Sequence, residues 1–522
     1  MRHITIVLLF IGSFAQSQVS LSLSQLDFGD VLTSVDKELA VNVTNTSNGP
    51  VVIEDVTIYN ADFTYSISTA TIATGATEKI RVTFAPRHNL AYNTELIFVL
   101  DDGSEHRIDL LGNGRYEGTY YASTFNKSYQ ELKDALKVKL AAGYINLGYS
   151  RARDKMYDDI DNVGGQITCV YTGRVATFNT RSGANSNNFN CEHTWPQSLF
   201  SQREPERADI HHLFPTDNPT NGRRASYPFG VVTGTPSWSE GGSKLKGSVF
   251  EPRDLQKGAT ARAMMYFVIR YQDYSNFIDG QEAILKQWHT DFSPSAFEIQ
   301  RNEKIFGYQK NRNPFVDHPE FIERINIIGG TDTKPVINEV STAQKTVNFK
   351  YVDPSLERGL YIINTGNQNI SNISSVVTRD GNLIVNSIEP TANVGEAAKI
   401  TLGFKDLADG TYTDELTINL ESQVGETITI PVTFTIGALS TRKTVYRKLK
   451  TNYNSSSQQI TLLDAPANIV QVKIWDAAGR QIALDDISSS LTDIPFAGHS
   501  QGVYFVLIKT EKEVFTSKFL VY

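Results

Sequence analysis

Apolar and polar residues alternate with a period near two along residues 19 to 115. Short runs at Leu39–Val43, Val51–Ile58, Lys79–Phe84 and Glu95–Leu100 are separated by turn residues, the pattern of an all-β sandwich. From residue 116 the period changes. Ser128–Ala142 carries Leu132, Ala135, Leu136, Val138 and Leu140 at helical spacing, and Gly258–Tyr271 and Ser293–Tyr308 also read as helices. Short strands are expected at Gln166–Tyr171 and Val175–Asn179, so the centre is predicted to be α+β. Alternation returns over 335 to 437. A third β-rich stretch, about 443 to 522, contains Val472–Trp475, a turn at Asp476–Arg480, the run Gly502–Ile508 and a last strand at Thr516–Val521.

The two alternating stretches read as an internal repeat. Gly75, Lys79, Phe84 and Glu95-Leu96 recur at Gly395, Lys399, Phe404 and Glu415-Leu416, all at one offset. Asn45-Thr46 recurs at Asn364-Thr365, one residue out of that register. Both copies resemble the immunoglobulin-like modules of bacterial surface and secreted proteins. The expected division is a signal peptide at 1–18, a sandwich at 19–115, a catalytic domain at 116–330, a second sandwich at 335–437 and a β-rich module at 443–522.

The amino-terminal segment has a short basic start, Arg2-His3, an apolar run from Ile4 to Ile11 and then mainly small and polar residues to Gln18. That is the order of a cleaved export signal, and the run is too short to span a bilayer. No later segment approaches the roughly 20 apolar residues of a membrane helix. Export makes a disulfide chemically possible, and one is expected between Cys169 and Cys191, pinning the segment after Cys191 to an upstream strand, with two unpaired buried thiols as the alternative. Two cysteines without a cysteine–histidine spacing motif do not make a zinc site.

Net charge is −8, which taken alone argues against a polyanionic partner. Between Tyr116 and Asn326, however, 25 Lys and Arg stand against 24 Asp and Glu. The centre is therefore near neutral and the flanks carry the acidity, so a local basic groove remains compatible with the total.

Candidate chemistry concentrates in Asn190-Cys191-Glu192-His193-Thr194-Trp195-Pro196, then Asp209-Ile210-His211-His212-Leu213, then Asn218-Pro219-Thr220-Asn221-Gly222-Arg223-Arg224. Phosphodiester hydrolysis needs a base for water and neutralisation of charge on the attacked phosphate and the leaving oxygen. A histidine supplies the base, and a hard divalent cation on oxygen ligands supplies the neutralisation. Glu and Asn both offer such oxygens. Neighbours on a regular strand point to opposite faces, so Glu192 and His193 can share a site only if the strand ends or bends there. Trp195-Pro196 favours that ending. His211-His212 fit a structural or a binding role equally well.

The combination resembles the bacterial endonuclease I family of periplasmic and extracellular nucleases, which use a ββα-metal motif. The likeness spans about 116 to 326. It is carried by the three segments above, by Phe250-Glu251-Pro252 with Lys257-Gly258 and Ala261-Arg262-Ala263, and by Asn311 through Pro319. The resemblance implies His193 as general base, with Glu192 and Asn221 holding Mg²⁺ (Mn²⁺ and Ca²⁺ as alternatives). It also implies an arginine on the scissile phosphate. Arg203, Arg207, Arg223 and Arg224 are the candidates and Arg224 the preferred one. Arg262 is expected at the substrate groove, whereas Asn313-Pro314-Phe315 and Asp317-His318-Pro319 are expected to fix a loop. The implied substrate is nucleic acid, either DNA or RNA.

The last module resembles the carboxy-terminal sorting domain of Bacteroidetes proteins exported by the type IX secretion system, through Trp475 to Arg480, Gly502-Val503-Tyr504 and Lys518. That makes the secretion machinery a partner and places the chain outside the cell or on its surface. A surface adhesin with an inactive nuclease-like centre is the rival reading, and the intact Glu192, His193 and Asn221 count against it. A metalloprotease lacks its His-Glu-x-x-His motif here, and a phosphodiesterase for small substrates would call for more acidic ligands.

Overall fold

A computed structural model describes residues 18–420, 427–436, 446–463, 469–477, 480–486, 493–510 and 514–521. The expected signal peptide lies outside these residues, apart from Gln18. Among the described residues four main hydrophobic cores follow one another along the chain.

The first core lies between a four-stranded and a five-stranded sheet. The third lies between two four-stranded sheets. Both are β-sandwiches built on the alternation seen in the sequence, as in Thr77–Phe84, where Ile80, Val82 and Phe84 are buried and Arg81 is exposed. The repeat is visible in hydrogen bonds. Buried Asn45 donates to the carbonyls of Gly49 and Ile72, and buried Asn364 donates to those of Gln368 and Ala392. Gly75 and Gly395, both at positive φ, donate to the Asn45 and Asn364 carbonyls. The asparagine in each copy therefore closes the same loop, and the left-handed turn it braces calls for glycine.

The two sandwiches touch. Ile97 packs with Tyr361, Ile363 and Ala397. Around this patch the Glu95 and Glu105 carboxyls accept the backbone N–H groups of Ala397 and Tyr361. Burial pushes both carboxyls up to about 8.

The second core is α+β. The helix Tyr129–Ala141 buries Leu132, Leu136 and Leu140 on one face, as its spacing predicts. At the centre runs the helix Asp254–Arg270, buried almost all round. The expected Ser293–Tyr308 helix is found at Ala296–Gln309, with the Ser295 side chain accepting from the Glu298 N–H at its start. On this frame sits an antiparallel pair of strands, Phe189–His193 and Leu213–Asp217, followed at once by the helix Asn218–Arg224.

The fourth core lies between a five-stranded and a three-stranded sheet. Its central strand, Gly502–Thr510, pairs with Ile469–Asp476 on one side and Val514–Val521 on the other. Ala478 and Gly479, two of the residues that carried the sorting-domain likeness, lie outside the described residues. Among the described residues no helix is long and apolar enough to cross a membrane.

Candidate active site

The strand pair sets the register of the site. Cys191 lies opposite Pro215, Glu192 opposite Phe214 and His193 opposite Leu213, and all six are buried. The first strand ends at His193. Trp195 ends it by turning into the core, where it stacks on Phe267 at 4.8 Å between centroids. The next helix begins where Asp217 caps it, accepting the Thr220 N–H, with Pro219 in the first turn.

A cleft of about 430 Å³ opens at this junction, lined by Glu192, His193, Gln197, Asn218, Asn221 and Arg224 among others. Glu192 is buried. Its Oε1 accepts from the Tyr171 hydroxyl at 2.7 Å and lies 3.3 Å from Arg224 Nε. Burial raises its carboxyl above the usual range, and Arg224 and Tyr171 oppose that rise. Asn221 donates through Nδ2 to Asn190 Oδ1 at 2.8 Å and to the Cys191 carbonyl at 3.4 Å. Those bonds fix which way the amide faces and leave Oδ1 as its unused acceptor.

His193 Nε2 lies 3.3 Å from the Arg207 carbonyl. A carbonyl only accepts, so Nε2 carries the proton and the Nδ1 lone pair stays free. Burial drives the imidazole well below its ordinary pKa, and the nearby His212, Arg207 and Arg153 add to the effect against the Arg207 carbonyl. The ring is therefore neutral near pH 7.

Asp209 holds the segment between the strands. Its carboxylate accepts from the Tyr266 and Tyr271 hydroxyls, the Gln309 side chain and the His211 N–H. His211 and His212 are buried, with Nε2 of each on a backbone carbonyl, those of Asn311 and Glu206. Both rings act as internal struts. Asn313 likewise caps the short helix Pro314–Asp317, and Arg312 pairs with Asp317 at 2.6 Å.

Three expectations need correction. Arg224 was the preferred phosphate contact, but it is 1% exposed. It donates to the carbonyls of His193, Thr194 and Ala225 and braces Glu192 from inside. Arg262 was expected at the substrate groove. It too is 1% exposed, with its guanidinium on Glu298 at 2.6 Å and on the Phe292 carbonyl at 2.8 Å. Cys169 and Cys191 are separate buried thiols. Cys169 Sγ faces Thr216, whereas Cys191 lies opposite Pro215, and successive strand residues point to opposite faces.

The structure thus gathers Glu192, His193, Asn221 and Arg224 at one cleft and puts Arg207 beside His193. Arg203 is exposed above Tyr274, and Arg223 is exposed on its helix. Sequence reasoning missed Tyr171, Tyr149 and Arg153, which no motif marks. Tyr171 holds Glu192, and Tyr149 lies 5.2 Å from the His193 ring.

Comparison with known proteins decides the family. The endonuclease I family model matches residues 124–320. An extracellular ribonuclease of Bacillus subtilis is 31% identical over 227 residues, covering 40% of this chain and 78% of the relative. The chain belongs to the endonuclease I family. It is a nuclease, in a family whose members are generally dependent on a divalent metal. An extracellular ribonuclease of Bacillus amyloliquefaciens is 30% identical over the same length. An extracellular deoxyribonuclease of Aeromonas hydrophila is 30% identical over 122 residues, 23% of this chain and 52% of that protein. Residues 17–113 match the model for a HYDIN/CFA65/VesB-like, Ig-like domain. Residues 453–522 match the secretion system C-terminal sorting domain, which marks this endonuclease I family member as secreted or cell-surface attached.

Proposed function

We propose that the protein is a metal-dependent endonuclease that hydrolyses phosphodiester bonds of DNA and RNA with little sequence specificity. The observation that carries this reading is the convergence of Glu192, neutral His193 and Asn221 on one cleft at the end of the strand pair. We read that strand pair and its following helix as a ββα-metal motif.

The donor set fits a hard divalent cation. Glu192 offers a carboxylate whose Oε1 is held by Tyr171 and Arg224, and Asn221 offers Oδ1. Among the described residues no group of three or more His, Cys, Asp or Glu gathers to hold a metal. Two protein oxygens with water completing the shell suit Mg²⁺, which keeps several waters. When bound, such an ion supplies charge neutralisation at the attacked phosphate and the leaving oxygen.

The chain's own residues do the rest. His193 takes a proton from water at Nδ1, and the Arg207 carbonyl, accepting from Nε2–H, stabilises the positive charge that develops on the ring. Arg224 and Tyr171 hold Glu192 in place. Of the four candidate arginines Arg207, partly exposed beside His193, suits the scissile phosphate best. The relatives named as ribonucleases and as a deoxyribonuclease support a substrate range that includes both nucleic acids.

Purified protein is expected to nick supercoiled plasmid and to digest RNA in Mg²⁺. Chelation by EDTA is expected to stop both, and excess Mg²⁺ to restore them. Cleavage that continues unchanged in EDTA would remove the metal from this reading.

A further inference from the structure

Several arginines of the nuclease core sit on a carboxylate. Arg174, Arg181, Arg301 and Arg312 pair with Asp217, Asp154, Asp161 and Asp317. Arg153 and Arg207, like Arg270 on its own tyrosine pair, do not. Among the described residues neither makes an ion pair, and each has a buried Nε with no hydrogen-bond acceptor.

These two cations converge on one ring. The Arg153 and Arg207 guanidinium carbons lie 4.0 Å and 4.3 Å from the Tyr149 centroid. Tyr149 opens the helix Tyr149–Lys155 after Gly148 at φ 70°, and its N–H donates to Glu204 at 3.0 Å. Its ring lies 5.2 Å from that of His193. The stack therefore stands directly beside the base of the reaction.

The aromatic faces offset part of the repulsion between the two guanidinium groups. What they leave is an uncompensated positive charge at the edge of a site whose substrate is a polyanion. A planar guanidinium fork matches phosphate oxygens. Successive charges along one nucleic-acid strand rise only about 3.4 Å, so a site of this extent meets more than one phosphate.

We propose that Arg153 binds the backbone phosphate next to the one attacked, while Tyr149 holds it at a fixed separation from Arg207. Arg153 is then a substrate-binding residue that recognises the strand without regard to sequence. The proposal rests on the nuclease reading of the cleft.

The test uses the full chain carrying His193→Ala, so that substrate is bound and not consumed. Affinity for a fluorescent single-stranded oligonucleotide is measured across a salt series in Mg²⁺. One lost phosphate contact lowers the slope of log K against log salt by about 0.7. Adding Arg153→Ala is expected to produce that loss, and Arg153→Lys, which keeps the charge, is expected to retain the slope. In the enzyme with His193 intact, Arg153→Ala is expected to raise KM roughly tenfold and to leave kcat within about twofold. Equal slopes in all three proteins, or a fall in kcat at unchanged KM, would overturn the proposal. Arg153→Gln replaces the alanine variant if thermal melting shows that variant unfolded. Failure of the nuclease reading looks different: the unmutated protein would then cleave nothing in Mg²⁺.

Discussion

Replacing His193 with alanine is expected to lower kcat for cleavage of DNA and RNA by about 10²–10⁴, the usual contribution of a positioned general base. Its Nε2 faces the Arg207 carbonyl, which leaves Nδ1 to take the proton. Burial and the surrounding positive charges hold the ring neutral. A base must be neutral to act, and a lowered pKa keeps it neutral into acid. The acid limb of the wild-type pH profile is therefore expected below pH 6.5, the ordinary histidine value, and the alanine variant should lose that limb. KM is expected to change little, because the ring works in the transition state and adds little to ground-state binding. A variant that keeps wild-type kcat would take His193 out of the mechanism.

Arg224→Ala is expected to cost about 3–5 kcal/mol of stability, the usual cost of removing one partner of a buried ion pair. Arg224 and Glu192 are both buried and 3.3 Å apart. Without the guanidinium, Glu192 keeps its burial and loses its counter-charge, so its carboxyl rises further towards the protonated form. Three backbone carbonyls lose a donor as well. Activity should fall with stability, because a protonated Glu192 is a poor metal ligand. The double variant Glu192→Gln, Arg224→Met should recover much of the melting temperature and no activity, since it removes both charges together. Calorimetry of the three proteins checks this. An Arg224→Ala protein as stable as wild type would show that the pair is not what holds the cleft.

Much of this molecule was legible in its sequence because the deciding interactions are local. Leu132, Leu136 and Leu140 mark one helical face, and all three are buried on it. The Asn45 and Asn364 copies mark the same loop, because the asparagine bonds within its own turn. Glu192, His193 and Asn221, which line one cleft, were singled out through their neighbours in the chain. What could not be read depends on partners far along the chain. Arg262 turns inward because Glu298, on another helix, waits for it. Arg224 turns inward because the strand carrying Glu192 passes beneath it. The two cysteines part because each faces a different side of one strand pair. Tyr149, Arg153 and Arg207 meet only after the chain has folded, so no spacing announces them.

The architecture adds a physical context for the chemistry. Two copies of a sandwich pack against each other through Ile97, Tyr361 and Ile363, although the nuclease core lies between them in the chain. Arg324 of that core donates to Asn89 of the first sandwich. The candidate cleft is thus carried on a frame of β-modules in a secreted or surface-attached chain.

The measurement that tests the account most directly is anomalous diffraction from crystals of the protein soaked in Mn²⁺, a stand-in for Mg²⁺. The account predicts one strong peak in the cleft, bound by the Glu192 carboxylate and Asn221 Oδ1 with water beside His193. A peak held by other residues, with none at Glu192 and Asn221, would contradict it.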